Sequence, residues 1–224
     1  LRRGEVGDVL LNNLYAQTQL QAVVGINMVA LVDGQPRVLN IKEIIEAFIR
    51  HRREVVTRRT LFLLRKARER GHVLEGLAVA LANLDEIIEL IKTSPTAADA
   101  RDRLVAAAWL PGDVSAMLER AGDSACRPDD LEGDYGLIDG KYHLSPAQAQ
   151  AILELRLNRL TGLEHEKLLQ EYADKVAEIA DLLEILGDPD RLRSVIREEL
   201  EELVEDFGDD RLTEITDSAH DLTV

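Results

Sequence analysis

The chain has 224 residues, 46% of them hydrophobic and 31% charged, with a formal net charge of -15. That length is enough for one or two domains with real cores, and the scarcity of aromatics (4%) beside abundant Leu, Ala, Glu and Arg favours helices over sheets. A single cysteine, Cys126, excludes an intrachain disulfide and fits a reducing cytoplasm, while no apolar run reaches the roughly 18 residues of a membrane span and no signal peptide is visible.

The chain opens without Met, inside a stretch that already reads as helix, so it is expected to be a piece of a longer protein. Val6 to Gln21 forms that helix, with Val9, Leu10, Leu14 and Leu20 near one side. A β-hairpin follows, its arms Ala22 to Val32 and Arg37 to Asn40 joined at Asp33-Gly34, because Asp-Gly between β-rich runs is a strong hairpin signal.

Asn40 then caps a long helix from Ile41 to about Arg70, ending before Gly71 and about 45 Å long. Ile41, Phe48, Val55 and Phe62 repeat every seven residues, with Ile49, Val56 and Leu63 in the next column, as in a coiled-coil seam. The same helix concentrates positive charge. Nine Arg or Lys residues lie between Ile49 and Arg70, against only Glu54 and Glu69, so the run carries about +7 in a chain of -15 and leaves about -22 for the rest.

Shorter helices crowd the next segment: Val73 to Lys92 as one or two, Thr96 to Trp109, and Val114 to Arg120. A loop leads to a second Asp-Gly hairpin, with Asp139-Gly140 at its turn. Ser145-Pro146, with Gln148 at the capping-box position, opens a helix from Ala147 to Leu160 that Thr161-Gly162 breaks. Glu164 to Leu186 is the second long helix, where Leu169, Tyr172, Val176, Ile179, Leu183 and Leu186 step by 3, 4, 3, 4, 3. Gly187-Asp188-Pro189 interrupts, helix resumes from Asp190 to Phe207, and the tail reads as a short extended return.

The expected fold is therefore mainly α: a long antiparallel coiled-coil arm with a globular helical tip and two short β-hairpins. The outgoing arm is basic and the returning one acidic, and such flanking charges choose partner and orientation more than they add stability. Nucleic acid is the competing reading of the basic run, with Arg50, Arg53 and Arg58 as transient DNA contacts. Phe62 stands alone among these cations, so no row of aromatics interleaves as a stacking platform.

Catalytic chemistry is not legible. His51, His72, His143, His165 and His220 are scattered, "LEHEKL" lacks the second His of a zinc-protease helix, and no phosphate-binding glycine loop occurs. Residues alone leave three classes open: a dimerising scaffold, a nucleic-acid-binding helical module and a coiled-coil adaptor.

"HRREVVTRRTLFLLRKARER", with "NNLYAQTQLQ", "GINMVALVDGQPRVLNIKEII", "LEGLAVALANLDEIIELI", "AQAILELRLNRLTGLEHEKL" and "IREELEELVEDFGDDRLTEI", resembles the A-subunit family of bacterial DNA gyrase, a type IIA DNA topoisomerase. These stretches cover most of the chain in order. The A subunit of topoisomerase IV is the runner-up; "GINMVAL", "LTGLEHEKL" and the insert from Thr93 to Leu144 favour gyrase.

The resemblance implies a place in a machine. Residues 1–40 would close the tower domain, 41–70 and 164–207 would be the coiled-coil arms, 71–163 the exit-gate dimerisation tip, and 208–224 a return toward the tower. Phe48, Val55, Phe62, Leu169, Tyr172, Val176, Ile179 and Leu183 would form the seam, and Leu77, Leu81, Ala151, Ile152 and Leu155 the dimer contacts. The family's DNA-cleaving tyrosine sits in an A-x-R-Y-T-type motif. Tyr15, Tyr135, Tyr142 and Tyr172 do not follow Arg, so no catalytic, cofactor or metal residue is assigned and the fragment alone is not expected to be an enzyme. The parent complex would pair two A with two B subunits, the B subunit bringing ATP and Mg²⁺, and act on duplex DNA in the bacterial cytoplasm at the nucleoid, away from membrane.

Overall fold

In the computed structural model the described residues are 6–22, 24–112, 114–122, 126–131, 133–155 and 162–215. They are mainly helical, and they divide into two compact units, Leu1–His51 with Glu199–Val224, and Arg52–Glu198.

The first unit holds α1 (Gly7–Gln17) and a two-stranded antiparallel sheet of β1 (Val29–Val32) and β2 (Gln35–Val38), with Val32 opposite Gln35. Asp33 (φ 54°) and Gly34 (φ 77°) both take positive φ, the two-residue turn whose twist matches the strands. The first strand begins at Val29, with Met28 O still accepting from Leu39 N at 3.0 Å, well after the Ala22 start expected. Asn40 caps α2 (Ile41–Ala82) reciprocally: its Oδ1 accepts from Glu43 N at 2.9 Å, and its own N–H donates to Glu43 Oε2 at 2.9 Å. The last turns of α8 (Pro189–Phe207) and the segment to Ile215 complete this unit. Among its described residues no side chain is buried, although Val9, Leu10, Val29, Leu31, Phe48 and Phe207 are large and apolar.

The second unit carries the core. The long helix does not end at Gly71 as the sequence reading expects; α2 runs on through Gly71 and Gly76 to Ala82. Both glycines are contact points rather than terminators. A Cβ on Gly71 would lie 2.7 Å from Cys126 Sγ, and one on Gly76 would lie 2.6 Å from Gln148 Cγ. Glycine here trades helix propensity for close approach.

Asn83 turns the chain from α2 into α3 (Leu84–Thr93), its buried amide donating to Val79 O (2.8 Å) and Leu110 O (2.7 Å). Thr96 caps α4 (Ala97–Ala106) through Asp99 N. That helix stops before Trp109, because Ala108–Trp109 is β3 of an antiparallel sheet with β4 (Gly136–Ile138) and β5 (Lys141–His143) in the order β3-β5-β4. Positive φ at Asp139 and Gly140 closes the second hairpin as predicted. The remaining helices are α5 (Val114–Ala121), α6 (Pro146–Leu153) and α7 (Gly162–Gly187), before α8. The Ser145/Gln148 capping box is formed, but α6 ends at Leu153 rather than Leu160; the expected continuation over 156–160, and Thr161, lie outside the described residues.

The tip core gathers Leu77, Val79, Ile87, Leu104, Trp109 and Tyr142 with their neighbours. A second cluster joins Leu64, Ala67 and Leu74 of α2 to Tyr172, Ile179 and Leu182 of α7, with Cys126 between them.

Gly76→Ala tests whether α2 is a contact surface here. Helix propensity alone would stabilise the variant by about 1 kcal/mol. Gln148 is held by hydrogen bonds and cannot swing away, so we expect a net loss of about 1 to 2 kcal/mol by urea unfolding; a raised midpoint would contradict the packing.

Candidate functional site

The arm pairing comes first because everything else hangs on it. The column that α2 buries is Val56, Thr60, Leu64, Ala67, Gly71 and Leu74, not the Phe48, Val55, Phe62 column expected from bulk. Phe48 and Phe62 are exposed and Val55 is half-buried. Size matters where the approach is closest: Gly71, beside Ala67 in the same cluster, lets Cys126 and Ile179 of α7 come to the helix, where a phenyl ring would hold them off. Thr60 tolerates burial because its hydroxyl donates to Val56 O at 2.8 Å.

On α7, Tyr172 and Ile179 are buried, and Leu169 and Val176 are half-buried. Leu183 is exposed, and Leu182 and Ile185 are buried instead. The buried face turns around α7 beyond Ile179, so a fixed heptad no longer follows it; an ideal helix already drifts about 20° per heptad.

The basic run sorts into different uses. Arg70 donates to Glu171 Oε1 on α7 through Nε (2.8 Å), the basic-to-acidic pairing expected between arms. Arg68 pairs with Asp129 in the loop, and Lys66 with Glu69 one turn on. Arg50, Arg53 and Arg58 are exposed.

Behind α2, a buried polar cluster fixes α6 and the second hairpin. The Gln148 amide nitrogen donates to His72 O (2.7 Å) and Tyr142 Oη (2.8 Å) and lies 3.2 Å from His72 Nδ1. Ser145 N donates to Gln148 Oε1 at 2.9 Å, and His72 Nε2 is 2.8 Å from Ser145 Oγ. Nδ1 faces an amide nitrogen that can only donate, so a proton on Nδ1 is disfavoured; a neutral imidazole with Nε2–H donating to Ser145 Oγ fits the site. Burial, with the charge of Arg127 adding to it, lowers His72 to about 4. Burial likewise raises the Tyr142 and Tyr172 phenols, and pushes the Cys126 thiol up to about 11 with Glu75 contributing. At neutral pH these groups are uncharged, and His72 and Tyr142 hydrogen-bond in place, whereas the buried Tyr172 hydroxyl meets no hydrogen-bond partner among the described residues: the cluster around Gln148 is a structural lock, poorly suited to nucleophilic work.

Past the lock lies an open apolar groove of about 270 Å³. The end of α2 lines it with Leu81, α3 with Ile88 and Ile91, and α6 with Ile152 and Leu153, while Leu155 follows α6; Lys92 stands among them. Of the expected interface residues, Leu81, Ile152 and Leu155 meet in this groove. Leu77 lies in the tip core, and Ala151 packs half-buried against it. The α3 contribution was missed, although Leu84, Ile87, Ile88 and Ile91 follow the i, i+3, i+4, i+7 pattern of a helix with one strongly apolar face. Among the described residues no group of three or more potential metal ligands gathers, and no helix is long and apolar enough to cross a membrane.

Comparison with known proteins adds an independent finding. A family model described as that of the DNA gyrase/topoisomerase IV A subunit matches residues 1–201. The DNA gyrase A subunit of Pseudomonas aeruginosa is 68% identical over 224 residues, all of this chain and 24% of that protein. Those of Escherichia coli K12 (62%) and Salmonella typhimurium (60%) match over the whole chain and 26% of their length. The chain thus spans about a quarter of the relatives it matches.

The buried neutral His72 makes stability pH-dependent in a defined window. Above about pH 6.5 the ring is neutral in folded and unfolded states. As pH falls from 6.5 to about 4, the unfolded chain takes up a proton that the folded one refuses, and stability drops by up to about 3 kcal/mol. Urea unfolding of the native chain and of His72→Gln across this range should give curves that converge toward acid pH; parallel curves would contradict a neutral, buried ring.

Proposed function

Because the chain belongs to the A-subunit family of DNA gyrase and topoisomerase IV, we propose that it is the arm-and-exit-gate segment of a gyrase A subunit. The parent enzyme on this reading changes DNA topology by ATP-dependent passage of one duplex through another. The A subunits dimerise through the tip, the B subunits bring ATP and Mg²⁺, and the assembly works on cytoplasmic DNA at the nucleoid. Residues 41–70 and 164–207 serve as arms, 71–163 as the gate tip, 1–40 as the end of the tower and 208–224 as a return toward it.

The observation that carries the gate reading is the groove. Half-buried Leu81, Ile88, Ile91 and Leu155 surround the buried Ile152 and form an apolar concavity that opens from the tip core to the surface. Two copies facing each other would bury it, and Lys92 beside it gives a polar edge, as an interface that must both hold and reopen requires. The arms carry a second, weaker role. Arg50, Arg53 and Arg58 are exposed on α2, where they could meet the phosphates of a passing duplex without tight binding.

Light scattering tests the gate directly. The chain should run as a dimer at micromolar concentration, and Ile88→Asp should weaken association by about 30-fold or more, the loss expected of a central contact; a strict monomer would overturn the reading. In the full enzyme, Arg50→Glu or Arg53→Glu should slow strand passage, most at low salt, with dimerisation intact; loss of the dimer instead would make these residues scaffold alone.

A further inference from the structure

The returning arm contains a glycine that nothing in its surroundings requires. Gly71 and Gly76 are each explained by a neighbour that fills the missing side chain's place. Gly187 is not: no atom lies within 4 Å of where its Cβ would be, and its φ is not positive. It is the last residue of α7, and a helical glycine without a packing reason costs about 1 kcal/mol relative to alanine. What glycine supplies at such a place is backbone freedom.

Its neighbours complete a joint. Asp188 N still donates to Glu184 O at 2.9 Å, and Leu192 N already donates to Asp188 O at 3.0 Å, so the hydrogen-bond ladder is almost continuous. Pro189 removes one donor from it, and a proline at this position is a cause of helix bending. The Asp188 carboxylate accepts from Asp190 N at 2.8 Å and starts α8. Residues 187–190 are all exposed, between the buried Ile185 (7%) and Ile196 (6%). Anchored helix thus stands on either side of an unanchored junction.

One side chain crosses it. Arg191, on α8, reaches back to Asp181 Oδ1 on α7 at 3.2 Å with Nη2, while Nη1 lies 3.5 Å from Glu198 Oε1 further along α8. The guanidinium fork joins a carboxylate before the junction to one after it, and its planar shape suits two partners at once. Asp188 and Glu184 lie on the same stretch, so removing the cation leaves carboxylates facing one another across the joint. We propose that Gly187–Pro189 is a hinge in the returning arm and that Arg191 is its latch, holding α7 and α8 at one angle through Asp181 and Glu198. The latch is ionic and largely in water, so it is weak enough to open and sensitive to salt. If the arms carry a gate, this joint is where the returning arm bends when the gate works. The hinge itself does not depend on that reading.

Spin labels on cysteines replacing Ala177 on α7 and Arg197 on α8, both exposed, read the joint directly in the whole chain. The native Cys126 is buried and resists labelling. Twenty residues of uninterrupted helix would separate the labels by about 30 Å, within reach of pulsed dipolar spectroscopy, and bending at the junction shortens that distance. With the native latch the distances should form one narrow distribution. Arg191→Gln should raise the bent population about threefold, as loss of one or two part-exposed ion pairs implies. High salt should do the same to the native chain and nothing more to Arg191→Gln. Adding Gly187→Ala to Arg191→Gln should restore the narrow distribution. A distribution for Arg191→Gln that superimposes on the native one would overturn the latch, and a broad distribution unmoved by Gly187→Ala would overturn the hinge. Neither result bears on whether the tip dimerises, which light scattering reads separately.

Discussion

Close approach to α2 at two glycines is the constraint on which the second unit rests. At Gly71 the Cys126 sulfur occupies the position of the absent side chain, and at Gly76 the Gln148 side chain does. Through the first contact the loop and α7 reach the arm helix; through the second α6 and the β5 hairpin are fixed to it. One helix therefore belongs at once to the arm packing and to the tip. A helix broken at Gly71 would have left a joint between them, whereas the continuous helix makes them one body within this unit.

The lock around Gly76 shows how a buried polar cluster can favour specificity over raw stability. Gln148, Ser145, His72 and Tyr142 satisfy one another only in one register of α6 against α2, and a slipped register would strand their polar atoms away from water. That register also sets which α6 side chains, Ile152 and Leu153, face the groove, so the position of the groove follows from the lock. The returning arm is built differently: its helix junction at Gly187 has no such cluster, and Arg191 spans it through exposed carboxylates. A rigid outgoing arm with the proposed hinge in the returning one would suit the proposed gate, which must open without coming apart.

Much of this was legible from residues. Asp33-Gly34 and Asp139-Gly140 announced both hairpins because few other dipeptides accept two positive φ angles at so little cost. Asn40, Thr96 and Ser145 announced helix starts through side chains that accept from backbone N–H groups three residues on. The misreadings share one cause. Gly71 reads locally as a helix stop, and its real role depends on a cysteine 55 positions away that no local pattern can bring near. Phe48 and Phe62 look like seam residues because bulk and heptad spacing agree, yet the buried column is Val56, Thr60, Leu64, Ala67, Gly71 and Leu74, with glycine where Cys126 comes closest. The α3 face was readable from its own spacing; what the sequence withheld was that α2 and α6 would converge on it.

Native-state amide hydrogen exchange across α2 tests the central claim most directly, because exchange reports helix continuity residue by residue. If α2 is one helix clamped at both glycines, the amides from Leu64 to Ala80 should exchange slowly and as a single cooperative group, with no gap at Gly71 or Gly76. Fast exchange confined to Gly71–Val73, separating two independently protected segments, would contradict the account and return Gly71 to the role of a helix terminator.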